Sequence, residues 1–212
     1  DNEVAHLRKD VSFEKASSGA MVADPLTLYD CCPTSDGASA VILVADHLAH
    51  QFTDTPIWVK GSGAGSDKLA LHDRPSLTQL RATQLASQKA YSIANIQANQ
   101  IDLAEVHDCF TIAEVLATED LGFAGRGEGG RFARDGQGRR NEGDVTINAS
   151  GGLKSKGHPL GATGTGQAVE VFKQLRHQVE SPRQVRDAEV GLTHNVGGSG
   201  ATCAVHIFGR ER

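Results

Sequence analysis

Short β-branched apolar runs alternate along this chain with longer stretches whose apolar residues recur at helical spacing. Six apolar runs predict strands, at 37–45, 55–63, 101–106, 145–147, 190–196 and 200–208. Three helices are predicted between them, at 74–96, 109–123 and 164–178. This order of elements predicts an α/β fold in which a mixed sheet is covered by helices.

Two segments show neither the short apolar runs of strands nor the apolar spacing of helices. Residues 1–30 have little apolar content before Met21, and they predict a loop that lies against another part of the protein. The Gly- and Arg-rich stretch at 124–143 predicts an exposed, solvated excursion.

The composition narrows the classes of function. The chain has 212 residues, enough for one good-sized domain or two small ones, and 39% of them are hydrophobic. The formal charge of -5 provides no basic surface for nucleic acid, and no apolar run reaches the ~20 residues of a membrane helix. The four cysteines lack C-x-x-C spacing and the chain opens without a secretion signal, so we expect a cytoplasmic protein.

Three histidines stand where predicted strands end. His107 follows the strand at 101–106, His158 lies in the Gly-rich loop after the next strand, and His194 precedes a Gly-rich turn. Functional groups of open α/β sheets collect at the carboxyl ends of strands, so we expect these imidazoles and Cys109 to converge. Such a cluster can activate a nucleophile, move a proton and stabilise an oxyanion.

Other interpretations of these residues stay open at this point. Each histidine taken alone is often a structural residue, and the four side chains together resemble a zinc site without a close ligand pair, so we expect no metal. The loop at 157–166 lacks the Lys of a P-loop, which leaves the start of helix 164–178 as a weak phosphate site. The remaining histidines that we interpret as structural are His47, His50, His72, His177 and His206.

Three motifs in register resemble the C-terminal part of the thiolase family. They are HDCF at 107–110, GGLKSKGHPLGATGTGQ at 151–167 and HNVGGSGATCAVHIF at 194–208. The segment DCCPTSDGASAVILVAD, from residue 30, is similar to the end of the family's loop region, and the similarity runs from about residue 22 to 208. It favours the sterol-carrier-protein type and the archaeal type of acetyl-CoA acetyltransferase, because degradative thiolases have Asn-Glu-Ala-Phe in the first motif and Cys-x-Gly in the third.

The resemblance implies both a fold and a reaction. Thiolases stack two similar halves, each a mixed five-stranded sheet with helices on both faces, in five αβαβα layers. On that plan, residues 1–33 are the tail of the loop region, 34–53 end the N-terminal domain and 54–212 form the C-terminal domain. The implied reaction is Claisen condensation of two acyl-CoA molecules, or CoA-dependent cleavage of a 3-ketoacyl-CoA, as in lipid metabolism. Coenzyme A thioesters are its substrates, and no other cofactor is expected.

The resemblance also implies roles for individual residues. His158 would activate the nucleophilic cysteine and hold the thioester oxygen together with His107, while Cys109 would move the α-proton. Asp108 is expected to cap the helix that follows it. The other residues implied at the site are His194, which would orient its second part, and the substrate-binding Gly157, Gly197 and Gly198.

The nucleophilic cysteine belongs to the family's N-terminal half, and none of the four cysteines here stands in its motif. We therefore expect that half to come from the same gene or from a separate chain, in a homo- or hetero-oligomer. Two alternatives stay open. One is a related carbon–carbon lyase or acyltransferase that works with an OB-fold subunit, and the other is a non-catalytic CoA-binding or assembly subunit.

Overall fold

The computed structural model describes residues 2–212, and a mixed five-stranded sheet is its main unit. The strands are β1 (Met21–Ala23), β2 (Leu26–Thr27), β3 (Trp58–Ser66), β4 (Leu103–Glu105), β5 (Thr146–Ile147), β6 (Val190–Gly197) and β7 (Thr202–Gly209). The α-helices are α1 (Phe13–Ser17), α2 (Arg81–Ala94), α3 (Thr111–Asp120), α4 (Gly129–Arg134), α5 (Gly152–Lys156) and α6 (Thr163–Leu175). None of the helices in this part of the chain has both the length and the apolar character needed to cross a membrane.

The large sheet has the strand order β3-β7-β6-β4-β5. Strands β3, β7 and β6 are antiparallel neighbours, whereas β4 runs parallel to both β6 and β5. Ala104 is opposite Leu192 of β6 and Ile147 of β5. This register brings the carboxyl ends of β4, β5 and β6 to one edge of the sheet, and the mixed five-stranded architecture is confirmed.

Helices cover both faces of this sheet. Adjacent residues of β4 point to opposite faces, as the pleat of a strand requires. Ala104 belongs to a buried cluster that includes residues of α2, α3 and α4, whereas Leu103 packs with Val171 and Leu175 of α6. The prediction of helices on both faces is therefore confirmed.

Helix α2 approaches β3 closely because both surfaces consist of small residues. Ala82, Ala86 and Ala90 are fully buried and recur four residues apart on one face of the helix. They face every second residue of β3, from Gly61 to Gly65, and a Cβ at Gly63 would collide with the carbonyl oxygen of Ala86. This close contact fixes α2, and with it Thr83, against the back of the site described below.

The predicted strand at 37–45 is wrong. Residues 37–45 pair with no strand in the part of the chain that the structure describes, and Ile42 and Leu43 are 89% and 79% exposed. Their β-branched composition gives the segment strand propensity, but a strand forms only where a neighbour accepts its backbone hydrogen bonds.

Three other segments differ from their predicted form. Helix α2 begins at Arg81, well after the predicted start at 74. The stretch at 124–143 is not merely a solvated excursion, because it contains α4 and Phe132 packs into the main core at 4% exposure. The Gly-rich loop before His158 contains the short helix α5, whose two flanking glycines hide it from any periodicity.

The opening segment packs on the loop that follows β5. The side-chain amide of Asn2 donates to the carbonyl of Ser150 (2.9 Å), and the backbone N–H of Leu7 donates to the carbonyl of Ser155 (2.9 Å). The hydroxyl of Ser155 returns a hydrogen bond to the carbonyl of Leu7 (2.7 Å). Residues 2–7 therefore lie against another part of the protein, as expected, whereas the predicted loop is wrong for residues 13–27, which form α1 and the β1–β2 pair.

Candidate active site

His107 and His158 lie side by side at the carboxyl edge of the sheet. His107 comes two residues after β4, and His158 comes two residues after α5. Their ring centroids are 4.9 Å apart and their planes are nearly perpendicular, at 87°. Residues 31–36 connect the two loops. The backbone N–H of Cys32 donates to the carbonyl of Cys109 (2.9 Å), and the hydroxyl of Ser35 accepts the backbone N–H of His158 (3.2 Å). The structure therefore brings these two imidazoles and the Cys109 loop together.

The hydrogen bonds of His158 assign its tautomer. Its Nδ1 lies 2.7 Å from the hydroxyl of Thr163, and that hydroxyl donates its own proton to the carbonyl of Pro159 (3.1 Å). We assign the Nδ1–H tautomer to His158, because the single hydroxyl proton of Thr163 is within reach of the Pro159 carbonyl, and in this tautomer Nε2 carries the lone pair. The unprotonated Nε2 is able to accept a proton, as a general base must.

Nε2 of His107 is a hydrogen-bond donor, whereas Nε2 of His158 is an acceptor. The side-chain amide nitrogen of Asn195, which is only a donor, lies 3.4 Å from Nδ1 of His107, so Nδ1 accepts and Nε2–H donates. Burial and the neighbouring charge of His158 lower the pKa of His107 to about 4, and burial also lowers the pKa of His158. At neutral pH both rings are neutral, and one Nε2 donates while the other accepts.

His194 is fully buried behind His107. Its Nδ1 accepts the backbone N–H of His107 (3.3 Å), so its Nε2–H donates to the hydroxyl of Thr83 (3.0 Å). Protonation of Nδ1 would break the first bond, and burial lowers the pKa of His194 to about 3. His194 therefore supports the backbone of His107 and offers no surface to a substrate.

The buried, neutral ring of His194 makes stability depend on pH. The pKa of His194 is about 3 in the folded chain and about 6.5 in the unfolded chain, so between these values the unfolded state binds more protons. The free energy of unfolding should therefore fall as the pH drops below 6.5. In His194→Asn, whose amide oxygen replaces Nδ1 as acceptor, the fall between pH 6.5 and 5.5 should be smaller by about 1 kcal/mol.

Urea unfolding at these two pH values measures the effect, and the difference between the two proteins is the readout. Burial raises the pKa of Glu105 to about 7, which changes stability with pH in the opposite sense. That contribution is common to both proteins and cancels in the difference. Parallel pH profiles for the native chain and His194→Asn would contradict a neutral His194.

Cys109 lies two residues after His107, in the turn that leads to α3. Burial, together with the nearby Cys32, raises the pKa of the partly exposed Cys109 thiol to about 11. Cys109 is therefore protonated at neutral pH, with a proton to give and strong basicity once it has lost it. Among residues 2–212, the His, Cys, Asp and Glu side chains form no group of three or more that could hold a metal ion.

Two buried carboxylates at the end of β4 hold the segment that carries His158. Glu105 accepts the backbone N–H of Ser150 (3.0 Å) and its hydroxyl (2.5 Å), and Asp108 accepts the backbone N–H of Leu153 (2.7 Å). A Cβ at Gly152, where φ is +63°, would collide with the Asp108 carboxylate. The expectation that Asp108 caps the helix that follows it is wrong, because its carboxylate holds the first turn of α5 and not that of α3.

The three glycines expected at the substrate site lie in two places. Gly157 directly precedes His158 at φ +103°, where a Cβ would approach the hydroxyl of Ser35 to 2.6 Å. Gly197 ends β6, and Gly198 turns the β6–β7 hairpin at φ +59°. Gly157 therefore shapes the His158 loop directly, whereas the other two shape the hairpin beyond Asn195.

Three residues that the structure places at this site were not predicted from the sequence: Thr163, Asn195 and Glu105. A charged residue in the middle of the apolar run LAEV was an available signal for Glu105, because a buried carboxylate needs a partner. Thr163 and Asn195 carried no such signal. Their importance lies in which ring nitrogen they contact, and this depends on the tertiary structure.

Comparison with known proteins assigns the family. A model of thiolase C-terminal domain-like proteins matches residues 63–210. Acetyl-CoA acetyltransferase of Methanothermobacter thermautotrophicus is 52% identical over 99% of this chain and 54% of its own length. Sterol carrier protein 2 of Bos taurus is 34% identical over 95% of this chain and 38% of its own length. The solved structure of the Ltp2-ChsH2(DUF35) aldolase shares the fold, with a TM-score of 0.83 and 24% identity over 96% of this chain and 52% of that chain.

The chain spans about half the length of the acetyltransferase that it matches. The family model covers β4 to β7 and the end of β3, together with the loops that carry His107 and His158. The resemblance inferred from the HDCF and GHP motifs is thereby confirmed: the chain belongs to the thiolase family and carries its C-terminal domain.

Proposed function

We propose that this chain is the C-terminal portion of a thiolase-type acyltransferase, which condenses two acyl-CoA molecules or cleaves a 3-ketoacyl-CoA with coenzyme A. The observation that carries the proposal is the pair of neutral imidazoles, whose ring centroids are 4.9 Å apart and whose Nε2 atoms have opposite roles, together with the protonated thiol of Cys109 in the loop that carries His107. An N-terminal half, in the same polypeptide or a partner chain, would supply the nucleophilic cysteine. The similarity to proteins named acetyl-CoA acetyltransferase supports this reaction class.

The first half of the proposed condensation forms an acyl-enzyme. The lone pair on Nε2 of His158 takes the proton of the nucleophilic thiol, and the resulting thiolate attacks the thioester carbon of an acyl-CoA. A bond forms between that carbon and the nucleophile, and the bond to the sulfur of coenzyme A breaks. Cys109 gives its proton to the departing CoA thiolate, which leaves Cys109 as a thiolate and His158 protonated.

The second half forms the carbon–carbon bond. The Cys109 thiolate removes an α-proton from a second acyl-CoA, and negative charge develops on its thioester oxygen. The Nε2–H groups of His107 and protonated His158 are the donors for that oxygen. The α-carbon attacks the acyl-enzyme, the bond to the nucleophile breaks, and His158 returns its proton to the released thiolate. Thiolysis is the same sequence in reverse.

An exposed apolar segment supports a second structural unit beside this one. Residues 41–44 are all apolar, and Ile42 is 89% exposed. Contiguous exposed apolar surface typically marks a contact with another chain or domain. The domain plan implied by the resemblance places this segment in the N-terminal domain, where a partner sheet would cover it.

The proposal predicts that the chain alone does not turn over acetoacetyl-CoA. Adding an N-terminal thiolase half from an archaeal acetyl-CoA acetyltransferase should restore CoA-dependent cleavage, because that half supplies the nucleophile. The same half with its nucleophilic cysteine replaced by serine is the matched control and should restore nothing. The measurement is the CoA-dependent loss of acetoacetyl-CoA, and comparable turnover by the chain alone would overturn the proposal.

A carbon–carbon lyase is a second candidate, since a structure named an aldolase shares this fold. Retro-aldol cleavage consumes no coenzyme A and releases a free carbonyl compound, whereas thiolysis consumes one coenzyme A for each bond broken. The protonated thiol of Cys109 favours thiolysis, because it can donate to the leaving carbon. Cleavage by the reconstituted protein without coenzyme A would favour the lyase, for which the expected partner is an OB-fold subunit. Binding of coenzyme A without turnover would favour an assembly role.

A further inference from the structure

Gln167 is a fully buried polar side chain on α6, and both ends of its amide are hydrogen-bonded. Its Nε2 donates to the backbone carbonyl of His194 (3.0 Å), and its Oε1 accepts from Nδ2 of Asn195 (3.2 Å). Leaving a buried amide unpaired costs free energy, so an amide that is bonded at both ends is held in one orientation. Gln167 therefore connects α6 to two consecutive residues of β6 in a defined way.

The orientation of the Gln167 amide follows from the backbone of β6. A carbonyl oxygen has no proton to give, so the end of Gln167 that faces the His194 carbonyl must be its NH2 group. The oxygen of Gln167 then faces Asn195 and can only accept, which requires Asn195 to present its own NH2 group. Neither amide can be reversed without bringing two acceptors together.

Asn195 passes this orientation on to His107. Its NH2 group has two protons, and the two acceptors within reach are Oε1 of Gln167 (3.2 Å) and Nδ1 of His107 (3.4 Å). A ring nitrogen that accepts a hydrogen bond carries no proton, so the proton of the neutral His107 ring is on Nε2. A chain of hydrogen bonds thus leads from a main-chain carbonyl to the ring that lies against His158.

The first turns of α6 place Gln167 on the same face as two other residues of the site. Thr163 lies four residues earlier, about one turn of the helix, and its hydroxyl is the partner of Nδ1 of His158. Gly164 lies three residues earlier, where an added Cβ would come within 3.4 Å of Cγ of Asn195. One face of α6 therefore reaches both imidazoles, the first directly and the second through this amide.

We propose that Gln167 is a positioning residue for His107: it fixes the orientation of the Asn195 amide, and this amide fixes the tautomer in which Nε2–H of His107 is the donor. Gln167 does not contact substrate in this role. The consequence for turnover rests on the proposed thiolase function, in which this Nε2–H stabilises the developing oxyanion. The tautomer itself is a property of the folded chain.

NMR of the ¹⁵N-labelled histidine side chains tests the tautomer without catalysis, because protonated and unprotonated ring nitrogens resonate far apart. In the native chain at neutral pH, His107 should have an unprotonated Nδ1 and a protonated Nε2. In Gln167→Met the Asn195 amide can turn its oxygen toward Nδ1, which favours the other tautomer. The two ring-nitrogen resonances of His107 should then move toward each other. An unchanged pattern in the folded variant would overturn the proposal.

Gln174→Met is the matched control on the same helix. Gln174 is also fully buried, about two turns after Gln167. Its Nε2 donates to Glu170 and to the carbonyl of Arg183, and its Oε1 accepts the backbone N–H of Val185. The substitution removes a comparable buried amide but leaves the hydrogen bonds of Asn195 in place, so the tautomer of His107 should stay native. An equal change in both variants would point to general loosening of α6 and contradict the proposed role.

A double variant tests whether Gln167 acts through Asn195. Asn195→Ala removes the amide, so adding Gln167→Met to it should change the His107 pattern no further. A further change would mean that Gln167 acts by another route, against the proposal. If Gln167→Met folds poorly, the native chain still decides, because a protonated Nδ1 of His107 in that chain would overturn the proposal outright.

The reconstituted enzyme separates this proposal from the proposed function. Gln167→Met should lower kcat by about three- to tenfold, the effect of losing one hydrogen bond, with little change in KM. Gln174→Met should keep the native kcat. A changed His107 tautomer in a chain that shows no thiolase activity with any N-terminal half would leave the positioning role intact and overturn the function. Thiolase activity together with a native His107 tautomer in Gln167→Met would do the reverse.

Discussion

Replacing His158 with alanine should lower kcat for CoA-dependent cleavage of acetoacetyl-CoA by about 10²- to 10⁴-fold in the reconstituted enzyme. The reason is the tautomer: Nδ1–H is held by Thr163, so the lone pair on Nε2 is the group that takes the nucleophile's proton. His107 offers no substitute, because its Nε2 already carries a proton. KM should change much less than kcat, since the imidazole acts on the reacting atoms.

Variants of Thr163 provide the matched control for this result. Thr163→Val keeps the shape of the side chain but removes the acceptor for Nδ1–H, so the ring is free to adopt the other tautomer. We expect kcat to fall by about tenfold, within the range of losses for residues that orient a catalytic imidazole. Thr163→Ser keeps the hydroxyl and should stay close to the native rate. Native turnover in His158→Ala, with the thermal melt unchanged, would remove His158 from the catalytic assignment.

The sheet and the convergence of His107 and His158 could be predicted because both depend on local pattern and general topology. The sequence of β6 is largely an apolar run, which predicts a strand. Loops that follow parallel strands leave from one edge of a sheet, which predicts that the histidines in those loops meet. The run at 37–45 has an equally strong local pattern and forms no strand here. The difference between these two runs lies in their neighbours, which local pattern does not specify.

The chemistry of the site was less predictable than its location. The tautomer of each imidazole depends on a single hydrogen-bond partner that no sequence pattern indicates. These partners are Thr163 for His158 and Asn195 for His107, and Asn195 is 88 residues from His107 in sequence. The same holds for Asp108, whose partner is the backbone of Leu153 rather than the adjacent helix. His194 was expected to orient the second part of the site, and the structure adds that both of its ring nitrogens are used inside the core, where one of them accepts the backbone N–H of His107.

Two substitutions at His107 should separate hydrogen-bond donation from the other properties of an imidazole. His107→Ala removes the Nε2–H donor from the developing oxyanion and should lower kcat by about 10²- to 10³-fold. His107→Asn places an amide N–H donor there, as in the degradative thiolases that have Asn-Glu-Ala-Phe in place of HDCF, and should recover a large part of that loss. Both variants keep the backbone N–H that donates to His194, so the support behind the site is unchanged.

Measuring kcat and the thermal melt of both variants decides whether donation is the role of His107. A donor role requires the Asn variant to exceed the Ala variant by at least about tenfold in kcat while their melting temperatures stay similar. Equal, severe losses in both would instead show that the ring itself is needed, for example to keep His158 in place through the edge-to-face contact at 4.9 Å. Native activity in His107→Ala would place the oxyanion elsewhere, because the reaction would then proceed without the Nε2–H donor that the Asn195 contact assigns to this ring.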